Sequence, residues 1–366
     1  MRMWGKYLLF GFVISLLSGC HFRPTDRAQQ YKDGRIIHNL QLVNAPNTEG
    51  SPVNARDFVT QVKYISEASP RLYNNNREIF EAIENWMLSG GDTRDLNEFG
   101  LLAYQMEGED KYGNVKFTGY YTPVLHARHT KQGEFKYPLY RMPTTLSHSR
   151  LPSRAAIYRG VLNKKFIIGY SDSLMDNFMM EVQGSGYVNF GGGRSFTFFG
   201  YGGKNGHAYL SIGSVLISRG EVLKEKMSMK AIRQWAEQHS EPEVRELLEH
   251  NPSFIFFKPE PHTQVRGASA VPLVAKASVA SDKSLIPPGT ALLAEVPVLD
   301  KMGKFTGQYQ MRLMVALDVG GAIKGNHFDI YHGIGEKSGE MAGFYNHYGR
   351  VWVLKKASSG FLADNQ

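Results

Sequence analysis

"GGAIKGNHFDIYHGIG", residues 320–335, is the stretch on which the fold and the chemistry both turn. Two glycines and Ala322-Ile323-Lys324-Gly325 make a tight bend of small residues. Beyond it the chain alternates: His327, Asp329 and Tyr331 point one way, Phe328 and Ile330 the other. One face is apolar, as the core side of a strand must be. The other carries an imidazole, a carboxylate and a phenol in a row. Aspartate is disfavoured in the middle of a strand, so Asp329 needs a reason. Among aromatic neighbours its carboxyl would lose solvation and its pKa would rise, which suits a proton donor near neutral pH. The plainer alternative is a solvent-facing aspartate on an edge strand.

Upstream, "MRLMVALDVGG" (311–321) is a buried strand that ends in Asp318, eleven residues before Asp329. A strand-turn-strand path would bring both carboxylates to one rim, and two carboxylates suffice for ordinary glycoside hydrolysis. Asp318 has its own alternative, since aspartate beside Gly-Gly orders turns through backbone hydrogen bonds. A metal set of His327, Asp329, His332 and His347 fits less well. His332 has the opposite strand parity, and neither HExxH nor paired cysteines occur. "GSG" (184–186) lacks the nucleophile-elbow pattern. "FGGGRSF" (190–196) and "YGGKNGHAY" (201–209) lack GxxxxGK[ST] and read as turns.

Farther out, the chain from 267 is strand-rich, in "SAVPLVAKASVAS", "PPGTALLAEVPVL" and "RVWVLKK". Short β-runs separated by Gly, Pro and Asp suggest a small barrel. "NARDFVTQVKYI" (54–65) and "NREIFEAIENWMLSGG" (76–91) carry apolar residues at helical spacing, the second ending at Gly90-Gly91. The middle of the chain mixes strands, "KKFIIGY" and "PSFIFFK", with short helices. Ser153 and Ser228 are N-cap candidates, and "SEPEVRELLEH" (240–250) carries a capping box.

With 366 residues, 42% hydrophobic and 21% charged, the chain can bury two cores and is not a disordered one. Its 38 glycines, 21 phenylalanines and 19 tyrosines lean towards β-structure with many turns. The formal net charge is +8, but no Lys/Arg stripe marks a nucleic-acid site. Arg2 and Lys6 precede the ten-residue apolar run "LLFGFVISLL" (8–17), too short to span a bilayer and suited to a secretion signal. "LLSGC" resembles a bacterial lipobox, with Cys20, the only cysteine, as the acylated residue. Three acyl chains there would anchor the protein firmly, each buried CH2 adding about 0.8 kcal/mol. His21 after the cysteine, by resemblance to Gram-negative lipoproteins, favours the outer membrane.

Taken together, the lipobox, "FTGYYTP" (117–123), "MEVQGSGY" (180–187), "GKNGHAY" (203–209), "RGASAVPL" (266–273), "DVGGAIKGNHFDIYHG" (318–333) and "YNHYGRVWVL" (345–354) resemble the membrane-bound lytic murein transglycosylase A family. The resemblance spans nearly the whole mature chain. It implies a mainly β fold with some α: a double-psi β-barrel domain plus an inserted smaller β-rich domain, with a glycan groove between them. The expected layout is a signal peptide at 1–19, a lipidated tether at 20–50, the barrel at 51–125 and 259–366, and the insert at 126–258. Asp329 would be the catalytic acid and Asp318 its support. Thr118, Tyr120 and Tyr121 would line the groove, with Gln183 binding sugar and Tyr331 either hydrogen-bonding the substrate or positioning Asp329.

The implied reaction cuts the MurNAc–GlcNAc bond without water and leaves a 1,6-anhydroMurNAc end, so one acid suffices, with no metal and no cofactor. The implied partners are peptidoglycan glycan strands, the outer membrane through the lipid anchor on its periplasmic side and, as candidates, cell-wall synthesis proteins; nucleic acid is not among them. A two-aspartate wall hydrolase and a non-catalytic wall-binding lipoprotein are the competing readings.

Overall fold

The computed structural model describes residues 40–43, 50–106, 114–144, 151–192, 196–260 and 264–357. The signal sequence, Cys20 and most of the tether lie outside the described residues. In chain order come β1 (Leu40–Val43), α1 (Ala55–Ala68), α2 (Pro70–Leu88), β2 (Leu101–Met106), β3 (Val115–Thr122), β4 (Val124–Arg128), β5 (Tyr137–Tyr140) and α3 (Arg154–Tyr158). Next are β6 (Ile167–Ser171), α4 (Leu174–Gln183), β7 (Gly186–Asn189), β8 (Thr197–Lys204), α5 (Ile212–Ser218), α6 (Met229–Glu237), α7 (Glu241–Glu249) and β9 (Ile255–Glu260). The last described elements are β10 (Ser278–Ala280), β11 (Ala291–Leu299), β12 (Phe305–Asp318), β13 (His327–Ile334), α8 (Glu336–Phe344) and β14 (Asn346–Lys356).

The described strands form two sheets. In the first, β14, β11, β12, β10, β13 and β3 follow one another, and pairing of β14 with β3 closes the ring. This closed barrel mixes parallel ladders (β10 with β12, β13 with β3) and antiparallel ones, and β2 and β1 extend it beyond β14. The second sheet runs β5-β6-β4-β7-β8-β9 and carries α3 to α7 around it. The chain crosses from the first sheet to the second at Pro123, between β3 and β4.

Two apolar cores hold the barrel. Inside it pack Phe117, Val279, Leu292, Met314, Phe328, Ile330, Val351 and Val353. Outside, Phe58, Phe80, Ile83 and Trp86 of α1 and α2 cover Leu293, Leu313, Val315 and Trp352. These are the apolar stripes that the helical spacing of 54–65 and 76–91 anticipates. Two buried amides fix α1 to the barrel. Asn54 Nδ2 donates to Leu313 O at 2.8 Å while Leu313 N–H donates to Asn54 Oδ1. Gln61 Nε2 donates to Pro272 O at 2.9 Å, and its Oε1 accepts from Val274 N–H and the Ser278 hydroxyl.

Those amides explain a departure from the sequence reading. "SAVPLVAKASVAS" reads as a strand, yet only Ser278–Ala280 forms one; Pro272 makes no more than an isolated bridge to Arg266. Ala270 and Lys276 have left-handed φ of 59° and 63°, and Pro272 lacks an N–H, so the segment turns and its backbone bonds to Gln61. The N-caps at Ser153 and Ser228 and the capping box between Ser240 and Glu243 form as expected.

Candidate active site

The alternation read in "HFDIY" holds. Phe328 and Ile330 are buried inside the barrel, while His327 and Asp329 are half-buried on the other face. Parallel pairing sets β13 beside β3 with His327 opposite Lys116, Asp329 opposite Thr118 and Tyr331 opposite Tyr120. Neighbouring strands run about 4.8 Å apart, so paired side chains on one face meet. Thr118 Oγ1 lies 2.6 Å from Asp329 Oδ1 and 2.8 Å from His327 Nε2.

Asp318 reaches the same row by an irregularity. Val279 of β10 pairs with Ala316 of β12, but the next residue, Ala280, pairs with Asp318, so Leu317 is the extra residue of a bulge. Ala280 pairs on its other side with Asp329. The two carboxylates therefore flank one alanine. Asp318 is heavily engaged: Oδ1 accepts from Ala268 N–H and Val319 N–H, both at 2.9 Å, and Oδ2 accepts from Tyr120 Oη–H at 2.9 Å. The Val319 bond is the turn-ordering role anticipated for an aspartate before Gly-Gly.

Burial raises the Asp329 pKa to about 7, and the nearby Asp318 adds to the rise; a hydrogen bond donated by Thr118 to the carboxylate form and the Lys116 cation work against it. Burial also pushes Asp318 up, opposed by its three donors. Tyr120 is raised well above the ordinary phenol by burial and the Asp318 charge, so it stays a donor. Lys116 is lowered by burial, with Asp329 pulling the other way. Burial and Lys116 lower His327 to about 4, which leaves its ring neutral at physiological pH. A cleft of about 330 Å³ opens beside Asp318, lined by Ser269, Lys283, Pro288 and Val319 among others.

The remaining expected residues sit around this row. Tyr331 is buried at 2% exposure, its hydroxyl 3.0 Å from Thr122 Oγ1 and its ring 5.2 Å from that of Tyr120. Tyr121 points away from Asp329, as strand parity requires. Its hydroxyl accepts from Arg233 Nη2–H at 3.1 Å and its backbone N–H donates to Gln183 Oε1 at 3.1 Å. Tyr121 thus ties β3 of the barrel to α4 and α6. His332 faces α8, buried with both ring nitrogens unpartnered. Gly119 makes room there, since a Cβ on it would lie 2.7 Å from Ala342 Cα. Among the described residues no three His, Cys, Asp or Glu side chains converge as metal ligands. Lys116 joins this row from the sequence pattern alone: the parity of "VKFTGYY" puts it on one face with Thr118 and Tyr120.

The membrane-bound lytic murein transglycosylase A of Escherichia coli (strain K12) is 64% identical over 354 residues, covering 97% of this chain and 96% of that protein. The chain belongs to the membrane-bound lytic murein transglycosylase A family. The transglycosylase A of Vibrio cholerae is 45% identical over 350 residues, covering 95% of this chain and 94% of its own length. Two family descriptions match: the MltA specific insert domain at residues 116–258 and the 3D domain at 277–355. The crystal structure of E. coli MltA with bound chitohexaose superimposes with a TM-score of 0.87 at 64% identity, covering 92% of this chain and all of that one. The 3D match of this transglycosylase-family chain contains both Asp318 and Asp329, and the insert match begins at Lys116, one residue into β3.

Proposed function

We propose that the protein is a lytic transglycosylase that cleaves the β-1,4 bond between MurNAc and GlcNAc in peptidoglycan, with Asp329 as acid and then base. Asp329 gives its proton to the bridging oxygen as the C1–O bond breaks, and oxocarbenium character develops at C1. The sugar's own C6 oxygen attacks C1, and Asp329, now a carboxylate, takes the C6 hydroxyl proton. The product is a 1,6-anhydroMurNAc end. Because the nucleophile is already tethered to the substrate, no water need be brought in and positioned.

The observation that carries this reading is Asp329 itself: a carboxyl on the polar face of a barrel strand, with a pKa raised to about 7. A donor with that pKa is loaded in about half the molecules at neutral pH. The competing two-aspartate hydrolysis needs a second carboxylate free to activate water or attack. Asp318 already accepts three hydrogen bonds and serves better as a fixed negative charge beside the acid. In this reading Lys116, Thr118 and Tyr120 position the two carboxyls, while Tyr121, Gln183 and Tyr331 build the wall behind them. The glycan lies in the groove between the barrel domain and an inserted domain that begins at β4 and ends with β9. Cys20 is lipidated and tethers the enzyme to the outer membrane, facing the periplasm. The membrane-bound relatives and the chitohexaose complex support the membrane and glycan parts.

Mass spectrometry of sacculi digested by the purified protein tests the reaction. Anhydro ends on every new chain terminus are expected; reducing ends would refute the lytic route.

A further inference from the structure

The polar row of β13 holds a second ionisable side chain that the reaction above leaves idle, His327. Its Nε2 is 2.8 Å from Thr118 Oγ1, the oxygen that also lies 2.6 Å from Asp329 Oδ1. The ring also hydrogen-bonds the Ala322 backbone, a contact that favours the protonated ring and is therefore a donation to the carbonyl. A neutral imidazole has one N–H. With that proton committed to Ala322, Nε2 offers only a lone pair. A threonine hydroxyl has one proton and can donate to His327 or to Asp329, not to both. To the carboxylate form Thr118 donates; when Asp329 carries its proton, the hydroxyl proton can turn to Nε2 and Oγ1 then presents a lone pair to the acid.

We propose that His327 is a positioning residue: by accepting the Thr118 hydroxyl proton it makes Thr118 an acceptor for the acid form of Asp329, so the three side chains keep the catalytic acid loaded. The proposal rests on the acid role of Asp329 given above. Once the proton leaves for the bridging oxygen, the Thr118 hydroxyl rotates to donate to the new carboxylate and Nε2 loses its donor. The chain of bonds is complete again only when Asp329 recovers a proton, which the C6 hydroxyl supplies. Other groups face Asp329 too: Lys116 and Tyr120 on β3, Asp318 on β12 and Tyr331 on its own strand. β10 adds no titratable group there, and β14 brings His347 and Tyr348 beside Phe117 and Lys116. Lys116 favours the carboxylate, Asp318 the acid.

The sign of one isosteric substitution decides the matter. If Thr118 merely donates to the carboxylate, Thr118→Val raises the Asp329 pKa and moves the alkaline limb of the pH–rate profile upward. If Thr118 accepts from the acid, the same change moves the limb downward, by about one pH unit, the size that one hydrogen bond to a carboxyl commands. His327→Leu should shift the limb the same way, and the double variant should shift it no further than Thr118→Val alone. Infrared titration of the carboxylic C=O band, assigned by its loss in Asp329→Asn, reads the same shift without turnover. That readout survives if the digestion products prove to be reducing ends, which would overturn the lytic reading and leave the hydrogen-bond chain standing. Should His327→Leu not fold, the direction of the Thr118→Val shift still decides. An upward or absent shift in Thr118→Val, or additive shifts in the double variant, would overturn the proposal.

Discussion

Asp329→Asn should abolish most activity and at the same time make the protein more stable, increasingly so as pH rises. The folded pKa of about 7 lies above the ordinary value of 3.8. Between those values the unfolded chain has lost the proton that the folded chain still holds, so stability falls as pH rises from about 4 to about 7 and is level above. About three pH units at 1.36 kcal/mol each is about 4 kcal/mol; allowing for partial solvent contact, about 2–4 kcal/mol is expected. Asparagine has no such titration. Subtracting wild type from variant at each pH removes every other group the two share, and chemical denaturation between pH 4 and 8 gives the difference directly. The stability gap should open in favour of Asp329→Asn across that interval and then stop growing. Activity on sacculi should fall by about 10²–10⁴-fold, the usual worth of a positioned general acid. Wild-type activity should itself decline about tenfold per pH unit above 7, as the acid form empties. A gap that stays flat from pH 4 to 8 would refute the argument that burial holds this carboxyl protonated.

Three further substitutions test other parts. Asp318→Asn keeps an oxygen for the Ala268 and Val319 N–H groups but removes a charge that lifts Asp329, so the alkaline limb should move to lower pH while most activity at acidic pH survives; loss as complete as in Asp329→Asn would favour a two-carboxylate hydrolase. Arg154, buried in the second sheet's helical layer, donates to Glu181 Oε2 at 2.8 Å and to Ser253 O at 2.5 Å, and Arg154→Ala should lower stability by about 3–5 kcal/mol because Glu181 is left as an unpaired buried charge. A melting temperature within a degree or two of wild type would contradict that. Gly349→Ala would place a Cβ 2.1 Å from Glu295 O on the neighbouring strand, so it should cost about 1–3 kcal/mol or more in a denaturation experiment, and an unchanged midpoint would mean that β14 and β11 are not paired as described.

Much of this site was legible in the alternation of "HFDIY", because a strand's period of two leaves little choice about which side chains share a face. The same parity applied to "VKFTGYY" separates Thr118 and Tyr120 from Tyr121 and adds Lys116, which reading "TGYY" as one unit conceals. What parity could not give is which strands lie side by side. That Lys116, Thr118 and Tyr120 stand against His327, Asp329 and Tyr331 follows from a parallel pairing between segments some 210 residues apart. No local pattern encodes such a contact. The brace of Tyr121, Arg233 and Gln183 is hidden for the same reason, since its three parts come from β3, α6 and α4. The turn-rich path of 269–277 is concealed because its apolar residues suit a strand, while the buried amides of α1 that capture its backbone lie two hundred residues upstream.

The eleven-residue spacing of Asp318 and Asp329 acquires a meaning only through the bulge in β12. Under regular pairing Ala280 would stand opposite Leu317, a residue packed in the helix-covered outer core. A single extra residue instead brings Asp318 into the row of Ala280, Asp329 and Thr118. Bulges bend a strand and re-aim its side chains, and they gather beside active sites for that reason. Here the consequence is electrostatic. Asp318 lies near enough to raise the pKa of Asp329, and Tyr120 and two backbone N–H groups hold it there. The strand-turn-strand geometry that would let two carboxylates share a hydrolysis is thus put to a different use: one is tied down as a fixed charge so that the other can keep its proton.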